Sequence, residues 1–184
     1  MALAPQLMTV EDYFTKSPYT LRPTELVHGV VRVADSPSPR HQSAVTGLCR
    51  ALDAHVRKRA LGRMWLSPLD VVLSERLALI VQPDLFFVSN ERKAIVTDRV
   101  RGAPDLVIEV LSPDPRIGSA GERVRWFAEN GVRECWLVHQ DTRSVTVIEY
   151  RDLREARRST FRRHEPIASA VLPEFRPSLD EILD

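Results

Sequence analysis

The sequence predicts an α/β fold in which helices flank a central mixed β-sheet. Two observations carry this prediction. Segments with the apolar period of a helix are interleaved with short runs rich in β-branched and aromatic residues, and the predicted order of elements is α-β-α-βββ-α-ββ, with no repeat or low-complexity linker. The 184 residues are enough to bury a sizeable core, so we expect a single domain over residues 1–184.

The first third of the chain predicts a short helix, a hairpin and a long helix. Thr9 and the aspartate three residues later have capping-box spacing, which predicts a helix to about Lys16. The run ELVHGVVRVAD alternates around a glycine and predicts a strand or a hairpin. Ser38, followed by proline, resembles an N-cap, and apolar residues at helical spacing predict a helix over residues 41–60.

The middle of the chain predicts three strands that each contain or adjoin an acidic residue. Their sequences are SPLDVVLSE, IVQPDLFFVS and PDLVIEVLS. After the SPDP break, residues 122–130 have the pattern of a helix, and Gly131 is placed to end it in a left-handed conformation. Because strands and helices follow one another here, we expect the helix to pack on the sheet.

The last third predicts two strands, a basic edge and a short terminal helix. ECWLVHQ and SVTVIEY have strand composition, with DTRS as the turn between them. The basic stretch RDLREARRSTFRR is expected to form a hairpin or loop at the edge of the sheet. Ser178 and Glu181 repeat the capping-box spacing near the end of the chain. Trp126 and Trp136 are expected in the core.

Composition excludes several classes of protein. The net charge of +1 provides no global attraction to nucleic acid or membrane, so such binding would require a local patch. Cys49 and Cys135 lack metal-site spacing, which favours a reducing compartment. The opening MALAPQLMTV has no signal-peptide pattern, and no apolar run approaches the roughly 20 residues of a membrane span. We therefore expect a soluble, cytoplasmic protein without a membrane partner.

Two carboxylates interrupt apolar strands that are candidates for sheet neighbours. Asp84 lies in QPDLFF and Glu109 in VIEV. Two ionised carboxylates about 5 Å apart repel by roughly 3 kcal/mol at an effective dielectric near 20. A divalent cation with hard oxygen ligands, such as Mg²⁺ or Mn²⁺, removes this repulsion, and so do ordinary salt bridges to arginine. Spacing alone does not choose between Asp84, Asp105 and Asp70 as the partner of Glu109.

Eight segments spread over nearly the whole chain form a recognisable set. They are MTVEDYF, ELVHG, SPSPRHQ, SPLDVVLSE, QPDLFFVSNER, GAPDLVIEVLSPD, NGVRECWLV and LPEF. On these segments the chain resembles the Uma-type restriction endonuclease family of the PD-(D/E)XK nuclease superfamily. The resemblance implies a restriction-endonuclease-like core and a Mg²⁺- or Mn²⁺-dependent endonuclease that hydrolyses phosphodiester bonds of DNA, with double-stranded DNA as the partner. An enzyme that cuts both strands of a two-fold duplex is compatible with a homodimer.

The resemblance also assigns roles to four residues. Asp84 and Glu109 would bind the metal, and Glu25 in ELVHG would be a further acidic group near it. The position of the superfamily lysine falls on Arg123 in the following helix. Arginine cannot act as a base, but Arg123 can neutralise the carboxylates or a phosphate oxygen. The alternative is therefore an inactive or weakly active relative that keeps the fold as a nucleic-acid-binding or oligomeric module.

Three other features have a structural and a functional interpretation. His41 matches a histidine common in the family and is a candidate for contact with phosphate, although a capping or turn role is favoured. The basic residues of the predicted long helix and the RDLREARRSTFRR stretch are candidates for contact with DNA, although solvated surfaces are favoured for both. The basic residues of the helix are Arg40, Arg50, Arg57, Lys58 and Arg59.

Overall fold

The computed structural model describes residues 7–17, 22–112 and 117–183. The predicted α/β class is confirmed, but the strands form two mixed sheets rather than one central sheet. The opening hexapeptide, residues 113–116 of the predicted break and residue 184 of the predicted last helix lie outside the described residues. No helix in the described part of the chain combines the length and the apolarity needed to cross a membrane.

The elements follow one another in a mixed order. The helices are α1 (Val10–Lys16), α2 (Pro39–Lys58), α3 (Ala120–Glu129) and α4 (Leu179–Leu183). The strands are β1 (Thr24–Val27), β2 (Val30–Val33), β3 (Gly62–Leu66), β4 (Val71–Ser74), β5 (Leu79–Val81), β6 (Leu85–Ser89), β7 (Val100–Arg101), β8 (Leu106–Leu111), β9 (Glu134–His139), β10 (Ser144–Arg151) and β11 (Arg154–Arg162). A 3-10 turn lies at Lys93–Ile95.

The predicted starts of α1 and α2 are confirmed because their capping residues act locally, whereas α3 begins at Ala120 rather than at the predicted residue 122. Thr9 forms the capping box of α1, Ser38 accepts a hydrogen bond from the backbone of His41, and Ser119 forms a second capping box at α3. The long helix α2 ends at Lys58 rather than at residue 60, because Ala60 has a φ of +52° that turns the chain toward β3. Gly131, with a φ of +88°, follows α3 as predicted.

The two sheets divide the strands by pairing rather than by chain order. One sheet has the order β2-β1-β5-β4-β7, and the other has the order β11-β10-β9-β8-β6-β3. Strands β8 and β9 are parallel, whereas β6 pairs with β8 in antiparallel register, with Leu85 opposite Ile108. Strands β3 and β7 were not predicted, and IVQPDLFFVS, predicted as one strand, forms β5 and β6 in different sheets. In β7 only two residues pair, which is too few to leave a periodic pattern.

The core lies on both faces of the six-stranded sheet. On one face, α2 and α4 cover Trp136, Phe175 and their neighbours. On the other face, Trp126 and Phe127 of α3 and apolar residues of the five-stranded sheet form a second cluster. Both predicted core tryptophans are buried. The start of β6 and the second half of β8, where Asp84 and Glu109 lie, border an open cleft.

Two helical glycines provide a matched test of this packing. A Cβ at Gly47 of α2 would overlap the carbonyl oxygen of Ile182 in α4, whereas a Cβ at Gly121 of α3 would meet no atom within 4 Å. We expect Gly47→Ala to lower the free energy of unfolding by about 1–3 kcal/mol through overpacking. Gly121→Ala should raise it by up to about 1 kcal/mol through helix propensity. Urea denaturation of both variants measures these changes, and equal midpoints would contradict the close contact of α2 with α4.

Candidate active-site cleft

A cleft of about 250 Å³ lies where β1, the β5–β6 turn, β8 and the N-terminal ends of α2 and α3 meet. Most of its wall is apolar, so the polar groups that enter it are conspicuous. Six polar residues that line the cleft belong to the predicted site or contact it. They are Glu25, His41, Gln82, Asp84, Glu109 and Arg123. The four residues assigned from the resemblance therefore line one cavity, together with two residues that were not assigned.

The guanidinium of Arg123 connects two of the carboxylates. Its Nε and Nη2 donate to Oε1 of Glu109 at 3.0 and 2.7 Å. Its Nη1 donates to both oxygens of Glu25, at 3.1 Å to Oε1 and 2.8 Å to Oε2. All three side chains are at most 12% exposed, so solvent screens these ion pairs weakly. Arg123 thus occupies a position between Glu25 and Glu109 that a cation could otherwise take.

The electrostatics of the cluster follow from its burial. Burial raises the pKa of Glu109 to about 8; Arg123 opposes this rise, and the charges of Asp84 and Glu25 add to it. Burial alone disfavours the charged form of Arg123, but Glu109 and Glu25 together reverse this effect and raise its pKa. Arg123 therefore remains a cation, and Glu109 takes up a proton more readily than an ordinary glutamate does.

Asp84 is held from two sides at the entrance to β6. Its Oδ1 lies 3.0 Å from Nε2 of His41, and its Oδ2 accepts the backbone N–H of Val110 at 2.8 Å. Because the β6–β8 register places Leu85 opposite Ile108, Asp84 falls beside Glu109. Asp84 lies directly before β6 rather than inside a strand, but it still adjoins Glu109.

His41 and Gln82 belong to the cluster although neither was assigned to it. The His41 ring is 2% exposed, and its backbone N–H bonds the Ser38 side chain, so the favoured capping environment and a site contact occur together. The backbone N–H of Gln82 donates to Oε1 of Glu25 at 2.7 Å. The SPSPRHQ segment was a signal for His41, whereas Gln82 acts through its backbone and leaves no residue-type signal.

The other two candidate partners of Glu109 lie elsewhere. Asp105 accepts the backbone N–H of Ser89 at 2.8 Å and pairs with Arg133 at 3.0 Å, at the opposite end of β8. Asp70 accepts a hydrogen bond from the side chain of Gln82 at 2.8 Å and does not line the cleft. Of the three aspartates, Asp84 is therefore the neighbour of Glu109.

The donor types in the cleft suit a hard divalent cation. Asp84 and Glu109 provide adjacent carboxylates, and Mg²⁺ is commonly held by one or two carboxylates together with waters and phosphate oxygens. The described residues contain no group of three or more His, Cys, Asp or Glu side chains that could hold a metal alone. Arg123 already satisfies Glu25. A cation would thus rest on Asp84 and Glu109 and would need substrate or water to complete its shell.

Three comparisons with known proteins concern the chain as a whole. A family described as "Uma2: Putative restriction endonuclease" matches residues 10–180. A crystal structure described as a putative nuclease belonging to DUF820, from Anabaena variabilis, superposes with a TM-score of 0.78. It is 18% identical, and the match covers 96% of this chain and 97% of that chain. No curated protein matches the sequence.

The raised pKa of Glu109 predicts how stability depends on pH. Between the ordinary value of 4.5 and about 8, the folded protein holds a proton that the unfolded chain has released. This contribution to stability is complete below pH 4.5 and is lost as the pH rises to about 8. Glu109→Gln should remove that dependence, as denaturant unfolding at a series of pH values would measure. Glu129→Gln, at an exposed carboxylate, is the control, and parallel curves for the natural chain and Glu109→Gln would contradict the prediction.

Proposed function

Because the chain belongs to the Uma2 family of putative restriction endonucleases, we propose that it is a nuclease that hydrolyses phosphodiester bonds of DNA with the help of a divalent cation. The observation that carries the proposal is the meeting of Asp84 and Glu109 in one cleft, in a cluster whose carboxylates outnumber its permanent cation. Restriction endonucleases act on duplex DNA, so we propose a double-stranded substrate.

Some side chains of the cleft would bind the cation, and others orient those ligands. Asp84 and Glu109 would hold Mg²⁺ or Mn²⁺. The hydrogen bonds of Asp84 with His41 and with the backbone of Val110 set the orientation of its carboxylate. Arg123 holds Glu109 and Glu25 in fixed positions, and its charge can also be offered to a phosphate oxygen.

Hydrolysis requires that the attacking water lose a proton. When bound, a divalent cation would polarise the phosphate and lower the pKa of a water molecule. Arg123 keeps its own protons and cannot accept another, so a different group must serve as the acceptor. We assign this role to Glu25, because Asp84 and Glu109 would be committed to the cation. Because Arg123 stands at the position of the family's lysine, no amine is present there to accept the proton.

One observation favours a second candidate function. Arg123 itself offsets the charges of Glu25 and Glu109, and a proton on Glu109 would remove much of the remaining repulsion. Such a cluster does not require a divalent cation to offset its charge. The second candidate is a nucleic-acid-binding or oligomeric module with the same fold and no cleavage.

The proposal predicts which carboxylates bind the metal. Asp84→Asn and Glu109→Gln keep the size of each side chain but remove a negative charge, so each should weaken Mn²⁺ binding by at least about tenfold. Each should also abolish metal-dependent nicking of plasmid DNA. Calorimetry and gel assays measure these effects, with Asp70→Asn outside the cleft as the control. Nicking that survives Asp84→Asn would contradict the nuclease proposal.

Arg123→Lys separates the two candidate functions. A lysine offers one compact charge and cannot bridge Glu25 and Glu109 with a planar fork. For a nuclease we therefore expect tighter Mn²⁺ binding and faster cleavage, because Glu109 is released and an ionisable amine is present. The control is Arg133→Lys, because Arg133 pairs with the buried Asp105 outside the cleft. Absence of metal binding and of cleavage in both the natural chain and Arg123→Lys would favour the non-catalytic module.

A further inference from the structure

Strand β11 is an exposed edge of the six-stranded sheet with an unusual charge. It pairs with β10 on one side, and seven of its nine residues are exposed. We call residues 151–163, which comprise β11 and its two flanking turns, the arginine edge. Its six arginines are Arg151, Arg154, Arg157, Arg158, Arg162 and Arg163.

The arginine edge carries a charge opposite to that of the rest of the chain. Its six arginines stand against Asp152 and Glu155, which leaves +4. The whole chain has a net charge of +1, so the other 171 residues, with 20 basic and 23 acidic side chains, carry −3. Arg163 pairs with the buried Asp180, but the pair of Arg158 with Glu155 is exposed, and exposed pairs exchange partners at little cost.

The sheet connects this edge to the cleft. Leu111, which lines the cleft, is paired with His139, His139 with Ser144, and Ser144 with Arg162. Directly paired residues project from the same face, so Arg162 lies on the face that bears the cleft. Glu109 leads in the same way through Leu137 and Thr146 to Thr160. Three strand spacings, about 14 Å in total, separate Glu109 on β8 from Thr160 on β11.

Arg158 and Arg162 flank Thr160 on that face. Four residues along a strand span about 13 Å, so the two guanidinium groups can contact phosphates a few nucleotides apart. We propose that the arginine edge holds the sugar–phosphate backbone of a duplex whose scissile phosphate lies in the cleft. The choice of DNA as the partner rests on the proposed function. The binding surface itself is assigned to residues outside the cleft.

An edge strand also bears charge for another reason, because charge discourages edge-to-edge pairing of sheets. That purpose is served by charges of either sign. It does not account for six arginines on a chain whose remainder is acidic. The basic face of α2 is the competing surface, and its pairs of Arg57 with Asp53 and Arg59 with Glu174 are exposed like that of Arg158, so its distance from the cleft decides against it. Arg57 lies 16 residues beyond His41, about 24 Å along the helix from the cleft.

The test measures binding of a fluorescein-labelled duplex of about two helical turns by anisotropy, in EDTA and at increasing KCl. Arg158→Gln with Arg162→Gln should weaken binding and reduce the slope of log K against log salt by about 2. The matched pair Arg158→Lys with Arg162→Lys keeps both charges and should bind like the natural chain. The control pair Arg57→Gln with Lys58→Gln removes two charges from α2 and should also bind like the natural chain. Thermal unfolding establishes that all variants are folded.

Three results would overturn the inference: no binding of duplex by the natural chain, unchanged binding by the Gln pair, or an equal loss in the α2 control. Equal salt-dependent binding to phosphatidylserine vesicles would also overturn it, because the edge would then be a general anion surface. The expected binding pattern without any Mg²⁺-dependent cleavage would instead contradict the nuclease proposal and leave the arginine edge intact.

Discussion

The buried guanidinium of Arg123 is the contact that joins the separate parts of this structure. It connects α3 to Glu25 on β1 of one sheet and to Glu109 on β8 of the other. Removing one partner from a buried ion pair costs about 3–5 kcal/mol, because the remaining charge stays in a medium that solvates it poorly. The relative positions of α3 and the two sheets at the cleft therefore depend on this triad, and so does the shape of the cavity.

The triad does not balance the charge of the cleft. Asp84 adds a third carboxylate beside Glu109, and its hydrogen bonds with His41 and the backbone of Val110 hold it there. Burial is the main cause of the raised pKa of Glu109, and the charges of Asp84 and Glu25 add to it. A proton or a divalent cation can each offset the excess. The same arrangement is thus compatible with a stable cluster at rest and with a cation that arrives together with substrate.

The six-stranded sheet acts as a common platform for chemistry and for binding. Its central strands carry the acidic cleft, and its outer strand carries the arginine edge, about 14 Å away on the same face. Opposite charges are thereby kept apart by strand pairing. A polyanion held at the edge is repelled by the carboxylates of the cleft unless a cation offsets their charge. A divalent cation bound in the cleft would do so.

The sequence by itself determined the α/β class, the starts of α1, α2 and α4, most strands and the place of the basic segment at the sheet edge. These features depend on neighbours within a few residues, such as the cap at Ser38 and the apolar periods, and need no knowledge of the remainder of the fold. Tertiary structure decided the division into two sheets, the short strand β7, the choice of Asp84 as the neighbour of Glu109, and the entry of His41 into the site. Glu25 and Arg123 are 98 residues apart in the chain. Their contact is set by sheet register and helix orientation, and local sequence carries almost no information about either.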